Sequence, residues 1–441
     1  MRLGIDDTDS PKGGCTTFVL SQVILKASSL GFDLIGEPRL VRLNPNVPFK
    51  TRGNAALSAT FGHGRGARRK VGRTPEGPLW AFERARELDD AQAHRLFEGA
   101  WETVLEGSHL REEGTDPALV ATRRKLSSGL YWKAVRSVVP VDLVEEELRG
   151  SGALYRTHGS SRGLVGAAAA AAWPGTHPTW ELISYRSPER EGSRRNVDAA
   201  SVRRAEAKFP ELFLCHDLRT RRLLVAPHTC CPILFGLRAT RPGRLFAAAR
   251  MVESEPVERS ILFRTNQGSG DHIAPRAAAD IAAFEPGSVR GSVSSPPRVL
   301  PGGHVTFGVI DLAGGALSCI AFEPTKELPN VARWLRPGDR VRVWGGRGEG
   351  TGFNLEGIEV LHWGRWEGRQ APPKCPECKR SASSLGRNRG YRCPKCRRRL
   401  PPEAAAQIPR RPPFRLGRFL PTPSARRHLA RIGPESPLRL L

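Results

Sequence analysis

Three carboxylates in four positions, Asp6, Asp7 and Asp9, follow the apolar Leu3-Gly4-Ile5 and are the residues of this chain best placed to do chemistry. So much negative charge in one turn does not coexist cheaply, and a bound cation, Mg²⁺, is the natural compensation. The turn continues through Lys12, Gly13 and Gly14, where a bare backbone lets a ligand approach closely, into Thr16 and Thr17. Leu20, Val23, Ile24, Ala27 and Leu30 recur at helical spacing, so a helix N-terminus with unpaired N–H groups faces the turn. Strand, acidic turn, glycines and helix together read as a metal–nucleotide site. The order matches neither the Walker nor the Rossmann fingerprint, so no standard nucleotide fold follows from it. An acidic turn that only caps a helix draws on the same residue types, but it needs no Gly-Gly-x-Thr continuation.

A second set of ligands lies near the other end. Cys375-Pro-Glu-Cys378 and Cys393-Pro-Lys-Cys396 are two C-x₂-C knuckles separated by fourteen residues, a spacing that brings four thiolates to one tetrahedral Zn²⁺. All four positions are filled, so the zinc is structural. Gly390-Tyr391-Arg392 before the second knuckle suits a zinc-ribbon hairpin. From residue 365 to 441 there are 20 Lys/Arg against 4 Asp/Glu, so this end reads as the polyanion-binding end.

The whole chain has 441 residues, 69 Lys+Arg and 44 Asp+Glu, a net charge of +25. That length suits about three domains, and that charge predicts a polyanionic partner, nucleic acid before a membrane surface. No run reaches the roughly eighteen apolar residues of a membrane span and no leader precedes the first strand, so the expected location is cytoplasmic. Nine cysteines, four of them in one local pattern, speak against a disulfide framework.

Between the two ends, Lys50, Arg52 and Asn54 sit in a Gly-containing turn suited to phosphate, and Arg65, Arg68, Arg69, Lys70 and Arg73 read as an exposed basic loop. Residues 79–106 and 117–132 have helical patterns, the second opened by Thr115-Asp116-Pro117. A second phosphate-loop candidate, His158 to Gly166 with Ser160, Arg162 and Gly163, opens onto the six alanines Ala167 to Ala172. Residues 196–267 alternate short strands and helices. The vicinal Cys230 and Cys231 after His228 read as packing, because adjacent cysteines share a metal poorly. Residues 264–272 read as a polar linker. Residues 289–361 hold about five strands, broken at 330–337, consistent with an OB-like barrel, and Gly345 to Gly348 read as a turn.

Taken in order, GIDDTDSPKGGCTT, KTRGNAAL, SSRGLVGAAAA, APHTCCPILFGLR, RTNQGSGDH, FEPTKEL, LRPGDRVRVWGG, NLEGIEVL, the knuckle pair with GYRC, and ARRHL resemble the archaeal tRNA(Ile) 2-agmatinylcytidine synthetases over nearly the whole chain. The resemblance implies a multidomain α+β protein: a kinase-like α/β domain at 1–195, a ferredoxin-like domain at 196–272, an OB-fold barrel at 273–364, and a zinc ribbon with a basic tail at 365–441. It implies that agmatine is joined to C2 of the wobble cytidine of a CAU-anticodon tRNA(Ile) while ATP is consumed to AMP, so that the modified base pairs with A. It implies that Asp6, Asp7 and Asp9 hold Mg²⁺ and the ATP phosphates, with Lys12, Gly13, Gly14, Arg52, Asn54, Ser160, Arg162 and Gly163 around them. Thr16 would correspond to the family's phosphorylated threonine. Asp198 and Asp217 are candidates for agmatine, with His228 in the adjoining loop; Cys230 stands where the pattern leads one to expect Pro.

A non-catalytic RNA-binding protein built on the barrel and the ribbon is the rival reading. It accounts for the charge and the zinc, but it leaves three clustered carboxylates at the head of a +25 chain without a purpose.

Overall fold

The computed structural model describes residues 1–51, 53–364, 368–409 and 412–433; Arg52 falls outside them. The chain opens with β1 (Arg2–Asp6), α1 (Thr16–Ser29), β2 (Asp33–Arg42), β3 (Ala55–Thr74) and β4 (Gly77–Arg86). Next come α2 (Asp90–Gly107), β5 (Ala118–Thr122), α3 (Ser128–Arg136), α4 (Val141–Ser151), β6 (Leu154–Thr157), α5 (Gly163–Ala172) and β7 (Thr179–Tyr185). Then follow α6 (Ala199–Lys208), a small hairpin of β8 (His216–Asp217) and β9 (Arg222–Leu223), β10 (Ile233–Ala239), α7 (Leu245–Ala249) and β11 (Arg259–Thr265).

Nine of these strands form one sheet in the order β10-β7-β11-β2-β4-β3-β1-β5-β6. Leu3 and Ile5 of β1 are fully buried among residues of α1 and α2, including Leu20, Val23, Leu96 and Val104. The alternating Gly4 faces the other side, where a Cβ would lie 2.0 Å from the Ala167 carbonyl. The alanine run of α5 is thus explained: only small residues let a helix backbone press this closely on a strand. Ala118 and Val120 of β5 and Tyr131 of α3 complete the core on that face.

Several sequence expectations are corrected here. The helical pattern expected from residue 79 holds only from Asp90, where Asp89 and Gln92 form a capping box; residues 77–86 are β4. Residues 118–122 are a fully buried strand, and the helix starts at 128 under a Ser127 cap. A short all-apolar run fits either element, and the pairing of Ala118–Thr122 with Arg2–Asp6 decides it. The basic loop at 65–73 is the far half of β3, paired with β4. The linker at 264–272 is the end of β11 and a buried turn, with Thr265, Asn266 and Gln267 all fully buried.

Farther on are β12 (Pro286–Val293), β13 (Arg298–Val299), β14 (Val305–Asp311), β15 (Ala316–Ala321), α8 (Glu327–Ala332), β16 (Arg340–Arg347) and β17 (Gly352–His362). Strands β12, β16, β17, β15 and β14 pair in that order, and β14 pairs back to β12, which closes a five-stranded barrel. The break expected at 330–337 holds the end of α8, whose Leu328, Val331 and Ala332 are fully buried with Leu335 in the barrel core. The turn expected at 345–348 begins later, since β16 runs through Arg347. The ribbon has three two-residue strands, Ser383–Ser384, Tyr391–Arg392 and Arg399–Leu400. After it, Gly417–Phe419 pairs with β17, and residues 421–433 fold back toward the first sheet. The last described stretch of the basic C-terminal segment is therefore docked structure. Among the described residues no helix is long and apolar enough to cross a membrane.

Candidate functional site

The carboxylate cluster lies where β1 ends beneath the start of α5. Asp6 Oδ1 accepts the Asp7 N–H at 2.8 Å, and Asp7 holds a left-handed backbone, φ 60°, an unfavourable state for a residue with a side chain. α5 leaves room by having no side chain at two positions. A Cβ at Gly166 would fall 1.7 Å from Asp6 Oδ2, and one at Gly163 would fall 2.4 Å from the Asp116 carbonyl and 3.1 Å from Asp7 Cβ.

Burial pushes the Asp6 carboxyl well above the usual carboxylate range, with Asp7 adding to the shift. Burial likewise raises Asp7 to about 7, followed by repulsion from Asp116 and Asp9. Asp116 is a fourth carboxylate that the sequence reading treated only as a helix opening. Asp6 and Asp7, both raised by burial and by neighbouring carboxylates, fit a divalent cation. Among the described residues the ligand atoms of the four carboxylates do not converge into a ready-made metal shell.

Asp6, Asp7, Asp9 and Thr16 open into one cavity of about 360 Å³, together with Asn54, Arg162 and Gly163. Thr16 is the first residue of α1, whose N-cap Cys15 makes no side-chain capping bond. Opposite them the wall comes from Glu181 and Arg238, from the loop through Pro227, Thr229 and Cys231, and from His428 near the C-terminus. Phe49 stands at the same cavity, half exposed, with the Arg162 guanidinium 5.2 Å over its ring. Arg195 fixes the loop by donating to the carbonyls of Pro227 (3.0 Å), Thr229 (2.9 Å), Cys231 (2.8 Å) and Ile233 (2.7 Å).

Other expected residues are occupied elsewhere. Lys12 is exposed and pairs with Glu112 at 2.9 Å. Gly13 and Gly14 lie against the exposed His109 ring, 2.9 Å from where a Cβ on either would fall, and Gly14 is left-handed, φ 78°. Ser160 bonds Asp116 through its N–H (3.0 Å) and its hydroxyl. Asp198 is the N-cap of α6, accepting from Ala200 N–H (3.2 Å) and Ser201 N–H (2.7 Å). Buried Asp217 accepts from Arg219 and Thr220 backbones, from the Thr422 hydroxyl (2.8 Å) and from Ser424 N–H (3.0 Å), so it anchors the C-terminal segment. His228 is exposed and does not line the cavity. Of the three agmatine candidates, then, Asp198 and Asp217 already accept hydrogen bonds within the protein, and His228 is not among the cavity-lining residues.

Glu181, Arg238, Asp116, Arg195, Phe49 and His428 were missed. Each comes from a different element, and no local pattern joins them. In the sequence the only trace of His428 is the ARRHL stretch.

The zinc site is local and complete. The ligand atoms of Cys375, Cys378, Cys393 and Cys396 lie within 4.8 Å of one another. The two knuckles repeat one geometry: Lys379 N–H donates to the Cys375 carbonyl (2.9 Å) and Arg397 N–H to that of Cys393 (3.0 Å), with φ 56° and 62° at Lys379 and Arg397. Four thiolates at this spacing fit one tetrahedral structural Zn²⁺.

Sheet, closed barrel and ribbon define a multidomain α+β protein with a C-terminal zinc ribbon. Residues 2–158 match the family described as TiaS TCKD domain, 161–272 the TiaS FLD domain, and 372–411 the TiaS C-terminal zinc ribbon domain. The chain is 34% identical to the 2-agmatinylcytidine synthetase TiaS of Archaeoglobus fulgidus, covering 97% of this chain and 96% of that protein. It is 32% identical to that of Methanosarcina mazei, covering 98% and 96%. Among solved structures, apo TiaS superposes with a TM-score of 0.81 at 31% identity over 98% of this chain and 97% of the other. TiaS in complex with tRNA(Ile) and ATP gives 0.79 at 32% over 97% and 95%, and the complex with tRNA, AMPCPP and agmatine 0.77 at 30% over 98% and 96%. The chain belongs to the TiaS family of tRNA(Ile) 2-agmatinylcytidine synthetases.

Proposed function

We propose that this chain joins agmatine to C2 of the wobble cytidine of a CAU-anticodon tRNA(Ile), with ATP converted to AMP. The observation that carries it is the cavity itself, in which Asp6, Asp7, Asp9 and Thr16 face Glu181 and a loop pinned by Arg195. Relatives of this chain are TiaS enzymes, and structures of that family hold tRNA and ATP, or tRNA, AMPCPP and agmatine.

The chemistry makes the arrangement intelligible. The C2 oxygen of cytosine is a poor leaving group until it is phosphorylated; the amine of agmatine then adds at C2 and phosphate departs with that oxygen, while the second phosphate lost in forming AMP passes to water. Asp6, Asp7 and Asp9, joined by Asp116, would hold Mg²⁺, which supplies positive charge to the phosphate oxygens. Thr16 offers a hydroxyl at the start of α1, where unpaired N–H groups favour phosphate. Asn54, Arg162 and Gly163 border the same space. Phe49 offers a stacking face for a base. Glu181, buried in the cavity wall and held there by Arg238 (3.3 Å) and by the Gln267 amide, would add negative charge to the side of the cavity where a cationic substrate sits.

We read residues 1–195 as a kinase-like catalytic domain, 196–272 as ferredoxin-like, 273–364 as an OB-fold and 365–441 as ribbon and tail. Non-catalytic RNA binding is disfavoured, because an acidic cavity in so basic a protein repels RNA unless it serves a bound cation. The test is incorporation of labelled agmatine into CAU-anticodon tRNA(Ile) by wild type and by Thr16→Ala. Wild type should incorporate label and the variant, still binding ATP and tRNA, should not; near-normal incorporation by the variant would reduce Thr16 to a structural residue.

A further inference from the structure

The turn that follows β11 and the C-terminal segment dock on each other, and the docking carries a side chain into the cavity. Gly268 N–H donates to the His428 carbonyl (2.8 Å), Gly270 N–H to that of Leu429 (2.8 Å), and Ile432 N–H to that of Gly268 (2.9 Å). Gly268 is left-handed, φ 72°, and a Cβ there would fall 2.4 Å from Ile432 Cδ1. His428 is thereby fixed in the cavity wall with an exposed face.

Gln267 settles where the imidazole proton lies. Its amide NH₂ donates to Glu181, so its Oε1 only accepts, and His428 Nδ1, 3.1 Å away, must be the donor. Nε2 therefore carries the lone pair. The Arg42 charge, and then burial, holds the imidazole well below its ordinary range, so it stays neutral. Nε2 and Arg42 Nη1 both lie against Gly53, where a Cβ would fall 3.5 Å from the first and 3.1 Å from the second; one Nη1 hydrogen goes to the Gly53 carbonyl (2.9 Å), which leaves the guanidinium's other N–H groups to a ligand. A neutral acceptor beside a cationic donor suits neither agmatine, positive at both ends, nor a phosphate. It suits a base edge with an exocyclic amine next to a ring nitrogen acceptor, which cytosine and adenine present and uracil and hypoxanthine do not.

We propose that His428, oriented by Gln267, reads the exocyclic amine of a base in the cavity through Nε2, with Arg42 donating to the neighbouring ring acceptor. This rests on the function proposed above, under which a cytidine and ATP both enter the cavity.

The test compares kcat/KM for tRNA with C or U at the wobble position, and for ATP or ITP, in wild type, His428→Leu and His428→Gln. Wild type should prefer the amine-bearing partner of at least one pair by on the order of 10–100-fold. His428→Leu should lose that preference at unchanged thermal midpoint and zinc content, and His428→Gln, which keeps an acceptor at the same reach, should recover part of it. Loss in the C/U pair assigns the contact to the tRNA base, and loss in the ATP/ITP pair assigns it to adenine. Full preference retained by His428→Leu, or no preference by wild type in either pair, overturns the proposal. So does equal loss in His428→Gln and His428→Leu. Should the Leu variant not fold, the wild-type pairs and the Gln variant still decide. Absence of any product from wild type with the natural substrates overturns the function itself, which separates the two failures.

Discussion

The ribbon and the cavity are built in opposite ways. The ribbon draws its four ligands from residues 375 to 396, and each knuckle folds by its own backbone bonds. The cavity draws its walls from Asp6 at one end of the chain and His428 at the other, with Glu181 and Cys231 between. A local site can be lost without the rest; a site assembled from distant segments is lost wherever the assembly is broken.

The sharpest way to test that difference is Cys378→Ser. Structural zinc contributes about 10–16 kcal/mol to a small module of this kind, so the variant should lose bound zinc and unfold residues 372–405. The acidic cavity, which takes no residue from the ribbon, should still turn over ATP. Zinc analysis and ATP hydrolysis without tRNA check both halves. An equal loss of ATP turnover would show that the two regions are not independent.

This contrast also explains what could be read from the sequence. Spacing alone defined the zinc ligands, because all four lie within two short turns. Asp6, Asp7, Asp9 and Thr16, which line one cavity, stand out in the sequence for the same reason. Asp116 and Glu181 were not, since each joins the site only through sheet pairing, Asp116 before β5 and Glu181 on β7. The stretch RTNQGSGDH showed polar residues and glycines and so read as a linker. In the structure its Asn266 brackets the Arg42 backbone, donating to its carbonyl (2.9 Å) and accepting from its N–H (2.7 Å), and also donates to Tyr131 Oη (2.8 Å). A polar segment whose groups are largely paired inside the protein looks the same, in sequence, as one whose groups meet water.

A second break is Asp7→Ala. It removes one of the carboxylates proposed to face the ATP phosphates and should lower ATP turnover by on the order of 10²–10³-fold, while tRNA affinity stays the same or rises slightly as negative charge is lost. Steady-state ATP hydrolysis with a filter-binding titration measures the two together.

A distant break of the cavity is Gly268→Ala. The added Cβ would meet Ile432 at 2.4 Å on a left-handed backbone, so docking of residues 428–432 should weaken by about 1–3 kcal/mol. Thermal unfolding should fall accordingly, and turnover should fall although the residue is not part of the cavity wall. Deleting everything beyond residue 364 should do more than remove RNA contacts, because it takes His428 as well.

The smallest effect concerns pH. The folded Asp7 carboxyl is raised from 3.8 to about 7, so its contribution to stability is full below about 4 and is lost as pH rises through about 7. Mg²⁺ binds the ionised form and releases the proton, so the Mg²⁺-induced rise in thermal midpoint should be larger at pH 8 than at pH 6. A Mg²⁺ effect that is independent of pH, or equally large in Asp7→Ala, would remove Asp7 from the cation site.

The most direct measurement of the central claim is the mass of the wobble nucleoside after CAU-anticodon tRNA(Ile) is incubated with the protein, ATP, Mg²⁺ and agmatine. The account predicts a cytidine whose C2 oxygen is replaced by agmatine, formed with AMP and absent when Asp7→Ala replaces wild type. An unmodified cytidine under conditions where ATP is consumed would contradict it.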